Sequence, residues 1–112
     1  MPRATCPSRG DIVWLDFDPQ AGHEQAGRRP AVVLSHRAYN IKTGLAIVCP
    51  MTSRVEKGWP FTVKIDDDSG VIADQVKCVD WRARRCEVKG RLDDAVLQRV
   101  ITTFARLILP ES

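Results

Sequence analysis

Along the first third of the chain the apolar residues fall on every second position. In residues 11–18 (DIVWLDFD) Val13, Leu15 and Phe17 alternate with Trp14 and Asp16. A period of two is that of a β-strand with one buried face. Pro30 opens a second apolar run, PAVVLS, with the β-branched residues a buried strand favours. Residues 36–44 have room for one short helical turn before Gly44 breaks it, and 45–50 form another apolar strand. Residues 61–65 alternate again. Residues 66–70, three carboxylates with Ser and Gly, have the composition of a turn. One long strand or two joined ones follow over 71–81, and 86–92 is the last strand.

After Leu92 the period changes. Leu97, Val100, Ile101, Phe104, Leu107 and Ile108 follow i, i+3, i+4 spacing, with Arg99 and Arg106 on the other side. Asp93 is placed to cap this helix, Asp94 suits its positive end, and Pro110 stops it. Several short strands followed by one amphipathic helix predict a mainly β, α+β fold: a strongly bent antiparallel sheet or small barrel with a C-terminal helix packed on it.

With 112 residues the chain suits a single domain over 10–110. Residues 1–9, with two prolines and no long apolar run, read as a flexible leader rather than a secretory signal. No apolar stretch approaches the ~18 residues of a membrane span, so a cytoplasmic protein is expected. Net charge is only +3, but it is segregated. Arg82, Arg84, Arg85, Lys89 and Arg91 lie close together, and Arg28 and Arg29 form a second basic pair. Segregated charge can build a local surface for anions; the plain alternative is a set of solvated strand and turn faces. Cys6, Cys49, Cys78 and Cys86 lack zinc-ligand spacing and are expected to be reduced, partly buried thiols, with no metal and no cofactor.

Two polar segments interrupt the strands. Residues 19–29 hold Gly22, His23, Glu24, Gln25, Gly27, Arg28 and Arg29, and residues 53–60 follow Thr52 with Ser53, Arg54, Glu56 and Lys57, closed by Gly58-Trp59-Pro60. Polar loops held by a rigid sheet are a common place for binding and catalysis.

Here the sequence resembles a known family. GDIVWLDFDPQAGHEQAGRRPAVVLS, then Tyr39-Asn40 with Lys42-Thr43-Gly44, CPMTS, GWPFTV, ADQVK and DWRAR, are similar in order and spacing to the MazF/PemK toxins, from about Gly10 to the last helix. The resemblance implies an SH3-like, CcdB-like barrel, a homodimer, and a toxin that cleaves single-stranded mRNA at a short sequence. It also implies a cognate MazE-like antitoxin, for which an acidic C-terminal tail is expected. It places the family's catalytic arginine at Arg29 and its threonine at Thr52.

The chemistry of these residue types is consistent with that role. RNA carries its own nucleophile, the 2′-hydroxyl, whose in-line attack yields a 2′,3′-cyclic phosphate and a 5′-hydroxyl. The protein must help remove a proton, neutralise charge on the phosphoryl group, and protonate the leaving oxygen. Arg29 suits charge stabilisation, since its fork can hold two phosphoryl oxygens and its high pKa makes it a poor base. Thr52 can donate to a phosphoryl oxygen, or simply satisfy the backbone at a strand end. Glu24 is placed either to accept the 2′-hydroxyl proton, to orient Arg29, or to be a solvated loop carboxylate. His23, beside Glu24, is a further acid–base candidate; His36 reads as structural. Gln25, Arg28, Ser53, Lys57, Gln75, Lys77, Arg82 and Arg84 are candidates for RNA contact. Trp14, Trp59 and Trp81 could offer stacking faces, although tryptophan in a small barrel is usually core or interface; at most one is expected to touch RNA, and Trp59 is favoured because its loop is polar.

Two other classes compete. A gyrase poison on the same barrel would need no Arg29/Thr52 pair, and a non-catalytic RNA-binding module would need only the basic cluster. Incubation with RNA in EDTA separates both from a metal-independent nuclease.

Overall fold

A computed structural model describes residues 4–17, 27–55 and 59–111. The elements run β1 (Asp11–Phe17), β2 (Gly27–Val33), α1 (Arg37–Thr43), β3 (Leu45–Thr52), β4 (Thr62–Asp66), β5 (Ser69–Ile72), β6 (Lys77–Asp80), β7 (Glu87–Arg91) and α2 (Asp94–Ile108). The strands form one antiparallel sheet in the order β4-β5-β3-β2-β1-β7, with β6 also on β3. β3 is the spine. Its first half pairs with β6, through Leu45↔Asp80 to Val48↔Lys77, and its last residues pair with β5, through Met51↔Val71 and Thr52↔Gly70. The expected α+β architecture with a C-terminal amphipathic helix is what the chain adopts.

Alternation along the strands separates two cores. Val13, Leu15 and Phe17 of β1, with Ala31, Val33, Ala46, Val48, Val79, Trp81 and Cys86, pack on one face. Val32, Cys49, Met51, Val63 and Val71 pack on the other, against Leu97 and Val100 of α2. Adjacent residues Val32 and Val33 therefore serve different cores, as a period of two requires. Asp93 caps α2, its carboxylate accepting from the Ala95 N–H at 3.1 Å. No helix among the described residues is long and apolar enough to cross a membrane.

Three expectations change in detail, and one open alternative, a single strand or two over 71–81, is decided. The turn over 36–44 is a helix of seven residues, closed by Gly44 with φ 73°. The segment over 71–81 divides into β5 and β6, because residues 73–76 turn away between two separate pairings with β3. β2 begins at Gly27, so Arg28 and Arg29 are strand residues and not loop residues. Cross-strand partners carry the strand that far, since Arg28 lies opposite Asp16 and Arg29 opposite Leu15. The supposed flexible leader is docked from Ala4 onward. Pro7 is fully buried, Ala4 and Cys6 pack on the first core, and Thr5 N–H donates to Cys86 C=O at 3.0 Å. Asn40, wholly buried, ties this segment down by donating to Pro7 C=O at 2.8 Å.

Candidate active site

The site forms where β2 and β3 run out of mutual pairing. Their register ends at Ala31↔Pro50; continued by two residues, it sets Arg29 opposite Thr52. Directly opposed residues share a face of the sheet. A cleft of about 330 Å³ opens here, lined by Trp14, Arg28, Arg29, Pro30, Met51, Thr52, Ser53 and Ser69. Residues of four strands thus meet in one hollow on a backbone fixed by the sheet, the charged and hydroxyl groups coming from β2, the end of β3 and β5.

Arg29 and Thr52 are prepared differently. Arg29 Nε is buried and has no hydrogen-bond partner among the described residues. A buried cationic donor left unsatisfied is costly unless something acceptor-rich comes to it. Thr52 Oγ1 accepts from Arg54 N–H at 3.0 Å, an arrangement that orients the hydroxyl. That bond uses an oxygen lone pair, so the hydroxyl proton remains to be donated. Ser53 is exposed beside it.

The neighbouring arginines brace the cleft. Arg28 donates to Asp16 at 3.1 Å, to Glu87 at 2.9 Å and to the Arg85 C=O at 3.0 Å. Arg85 donates to the same Asp16 carboxylate at 2.7 and 3.3 Å, and Arg84 Nη1 donates to Asp16 C=O at 3.0 Å. Arg85 reaches this place from a left-handed backbone, φ 54°, in the turn over 81–85. The Arg85 hydrogen bond, followed by that of Arg28, holds the Asp16 carboxyl below the usual carboxylate range. Arg28, and after it Lys89, does the same for Glu87. β1, β2, β7 and the turn between β6 and β7 are thereby joined at the strand end that carries Arg29.

Residues 8–108 match the model of the PemK-like, MazF-like toxin of type II toxin-antitoxin systems. The chain belongs to this family. It is 47% identical over 97 residues to the endoribonuclease toxin MazF of Escherichia coli K12, covering 84% of this chain and 86% of that protein. It is 31% identical over 107 residues to the Escherichia coli endoribonuclease PemK, covering 89% and 80%. The crystal structure of MazF from Deinococcus radiodurans superposes with a TM-score of 0.85 at 46% identity, over 93% of this chain and 97% of that one. A MazE–MazF complex from the same organism superposes at 0.81.

For this PemK/MazF family member the structure divides the residues singled out from sequence. Arg29, Thr52 and Ser53 meet in the cleft. Arg28, expected to contact RNA, lines it as well, with its guanidinium held by Asp16 and Glu87. Arg84 is likewise directed at the β1 backbone. Lys77, whose Nζ lies 5.5 Å from the Phe17 ring centroid, and Arg82, 5.2 Å from that of Trp81, lie outside the cleft lining, as does Gln75. Trp59 is also outside it, its indole N–H shared between the Asp74 carboxylate oxygens at 3.0 and 3.2 Å. Glu24, Gln25, Lys57 and His23 lie outside the described residues. Trp14, a possible stacking face in the sequence but not the favoured one, is the tryptophan at the cleft. It is 37% exposed and lines the cleft. Its outward position between buried Val13 and Leu15 was the available signal. Trp81 is core, with its indole N–H on Asn40 C=O at 2.8 Å. Burial pushes the Cys49 and Cys86 thiols up to about 12, which makes them poor nucleophiles.

Proposed function

We propose that this chain is the toxin of a toxin-antitoxin pair, an endoribonuclease that cuts single-stranded RNA through the RNA's own 2′-hydroxyl, without a metal ion. The observation that carries this reading is the pairing of Arg29 and Thr52 in one cleft, with a buried guanidinium nitrogen awaiting an acceptor. A phosphodiester supplies that acceptor. Arg29 stabilises the negative charge that grows on the phosphoryl oxygens, and Thr52 donates to one of them and fixes its position. Trp14 offers a face for a neighbouring base. Glu24 is assigned the 2′-hydroxyl proton or the orientation of Arg29. Ser53, Gln25 and Lys57 are assigned to the strand on either side. The products are a 2′,3′-cyclic or 3′-phosphate and a 5′-hydroxyl.

An enzyme of this kind endangers its own cell, so the reading includes a cytoplasmic partner that inhibits it. We assign an antitoxin whose acidic C-terminal tail lies over the cleft, and a homodimeric toxin to receive it. The proteins named MazE and MazF crystallise together. The test is digestion of a long RNA in EDTA, with 5′ ends mapped by primer extension. Discrete 5′-hydroxyl ends are expected; a strict Mg²⁺ requirement or 5′-phosphate ends refute the mechanism. Inhibition of DNA gyrase with RNA left intact would establish the competing class.

A further inference from the structure

An RNA strand cut within the Arg29/Thr52 cleft continues on both sides of it. On the side of β1 and β7 the basic groups are occupied. Arg28 is paired with Asp16 and Glu87, and Arg85 with Asp16, so two carboxylates stand among them. The β5 side differs. Gly70 of β5 pairs with Thr52 on one flank and with Lys64 of β4 on the other. Lys64 is thus two strand spacings from Thr52, about 10 Å. Between them Thr62 and Val55 lie over Gly70, an uncharged stretch.

Beyond this stretch a groove of about 640 Å³ runs between β4 and α2. Its lining holds three cations, Lys64, Arg99 and Arg106, and no carboxylate. Arg99 and Arg106 are two turns apart on α2, which sets them on one face of the helix and about 10 Å apart along its axis. Thr102 and Thr103 stand between them. Thr103 uses its proton on Arg99 C=O at 2.7 Å, whereas Thr102 accepts from Gln98 at 3.5 Å and keeps its own to donate. Lys64 Nζ lies 3.5 Å from the fully exposed Asp67, a contact that solvent screens.

The lining selects the occupant. Spaced cations with a hydroxyl donor between them suit a chain of spaced phosphates. No aromatic ring is present for a base to stack on, so the contacts fall on the backbone and carry no sequence preference. A peptide finds no pocket for an apolar anchor here, since the one large apolar side chain of the lining, Val63, is buried. A strand already held in the cleft meets the groove intramolecularly, so even weak phosphate contacts add to its retention.

We propose that the groove between β4 and α2 is an exosite for the substrate: through Lys64, Arg99 and Arg106 it holds phosphates of the single-stranded RNA that flanks the cleaved bond. The proposal rests on the ribonuclease reading and adds to it a binding surface outside the cleft.

The site mapped by primer extension is presented to the full-length protein in a short oligonucleotide that fills the cleft alone, and in the same oligonucleotide extended by about eight nucleotides on its 5′ or its 3′ side. One of the two extensions is expected to lower KM about tenfold at low salt, with kcat unchanged and whatever the sequence of the extension. In the Arg99→Gln/Arg106→Gln variant that advantage should fall to about twofold or less, and the slope of log KM against log salt for the extended RNA should shrink by about 1–1.5. Lys64→Gln should act in the same direction. An uncleavable extended RNA, with 2′-deoxyribose at the cut position, should shift the backbone amide signals of Lys64, Arg99 and Arg106, and the short one should not. A parent protein that cuts none of these RNAs refutes the ribonuclease reading, and the exosite with it. Cleavage of all three with equal KM leaves that reading standing and overturns the exosite alone. So does a double variant that slows short and extended RNAs equally, which assigns the arginines to the fold or to the dimer. Amide shifts in the groove with an acidic peptide of Glu-Val repeats, and none with the extended RNA, give the surface to a protein and overturn the proposal as well.

Discussion

Thr52 receives a hydrogen bond from the Arg54 amide on its oxygen and keeps its proton, whereas Arg29 holds a buried nitrogen with no partner among the described residues. Both side chains line the cleft and can donate to a phosphoryl group, so their loss should act on the transition state more than on the fold. Arg29→Ala is expected to lower kcat about 10²–10³-fold, and Arg29→Lys to recover only part of it, because an ammonium lacks the planar fork. Thr52→Ser should retain most turnover and Thr52→Val should not. Single-turnover cleavage of an RNA oligonucleotide, with circular dichroism to confirm folding, measures all four; normal turnover in both Arg29→Ala and Thr52→Val places the active site elsewhere. Trp14 is testable in the same assay. Trp14→Ala should weaken RNA binding by about 1–3 kcal/mol, as expected for a lost stacking face, and Trp14→Phe by much less. Equal affinity of all three forms removes Trp14 from the site. Arg28 was open to two readings in the sequence. Nothing local distinguishes it from Arg29; only the register, which puts it opposite Asp16, directs it into the ion-pair network.

At the scale of elements, the cleft depends on strand ends that would otherwise fray. Asp16 joins β1 and β2 to the turn over 81–85 through Arg28, Arg84 and Arg85. Its carboxyl is held below the usual range, so the native state favours the ionised form. The resulting stability is present above the unfolded carboxylate pKa of about 4 and is lost as pH falls through the lower folded value. Asp16→Asn should therefore reduce Tm at neutral pH, and the gap to the parent should close in acid. A gap that is constant with pH assigns the effect to packing instead. At Gly70 the limit is space. An added Cβ would sit 2.7 Å from Thr62 Cγ2, 2.9 Å from Val55 Cγ1 and 3.1 Å from the Val63 carbonyl oxygen. Gly70→Ala should cost about 1–3 kcal/mol in denaturant unfolding, and because Gly70 pairs with Thr52 it should also lower turnover. An unfolding midpoint equal to the parent's means that Thr62 and Val55 yield freely. These elements were legible to different degrees. The period of β1 and the cap and stripe of α2 are local signals and were read correctly. The start of β2 and the docking of residues 4–9 were not, because each depends on partners far along the chain, Asp16 and Cys86 among them.

On the scale of the whole molecule, a chain of this length buries a limited core, and some of its apolar surface stays exposed. Leu107, Ile108 and Leu109 are 46%, 65% and 62% exposed at one end of α2. Association of two copies covers such a surface. Sedimentation equilibrium at micromolar concentration is expected to give a homodimer, with Ile108→Lys shifted toward monomer. A monomer for the parent chain contradicts the assignment. The same scale decides what the basic residues do. Residues 82–85 read in sequence as part of a positive surface for RNA, but Arg84 donates to the Asp16 carbonyl and Arg85, itself exposed, is ion-paired with the Asp16 carboxylate. Arg99 and Arg106, which the sequence shows only as the solvent side of an amphipathic helix, line a separate groove beside β4.

The order of strands and helices, the two apolar faces and the candidates Arg29 and Thr52 were contained in the sequence, since periodicity is local and the order and spacing of the family's motifs survive without coordinates. Which residues meet was a tertiary decision. Arg29 and Thr52 are 23 positions apart in the chain and come together only because β2 and β3 share a register that expires just short of them. The pairing of β1 with β2 sets Trp14 opposite Pro30 and so at the cleft, while Trp59, Gln75, Lys77 and Arg82 stay outside it. Side-chain type and spacing along one strand say which face a residue takes; only the neighbouring strand says what stands beside it.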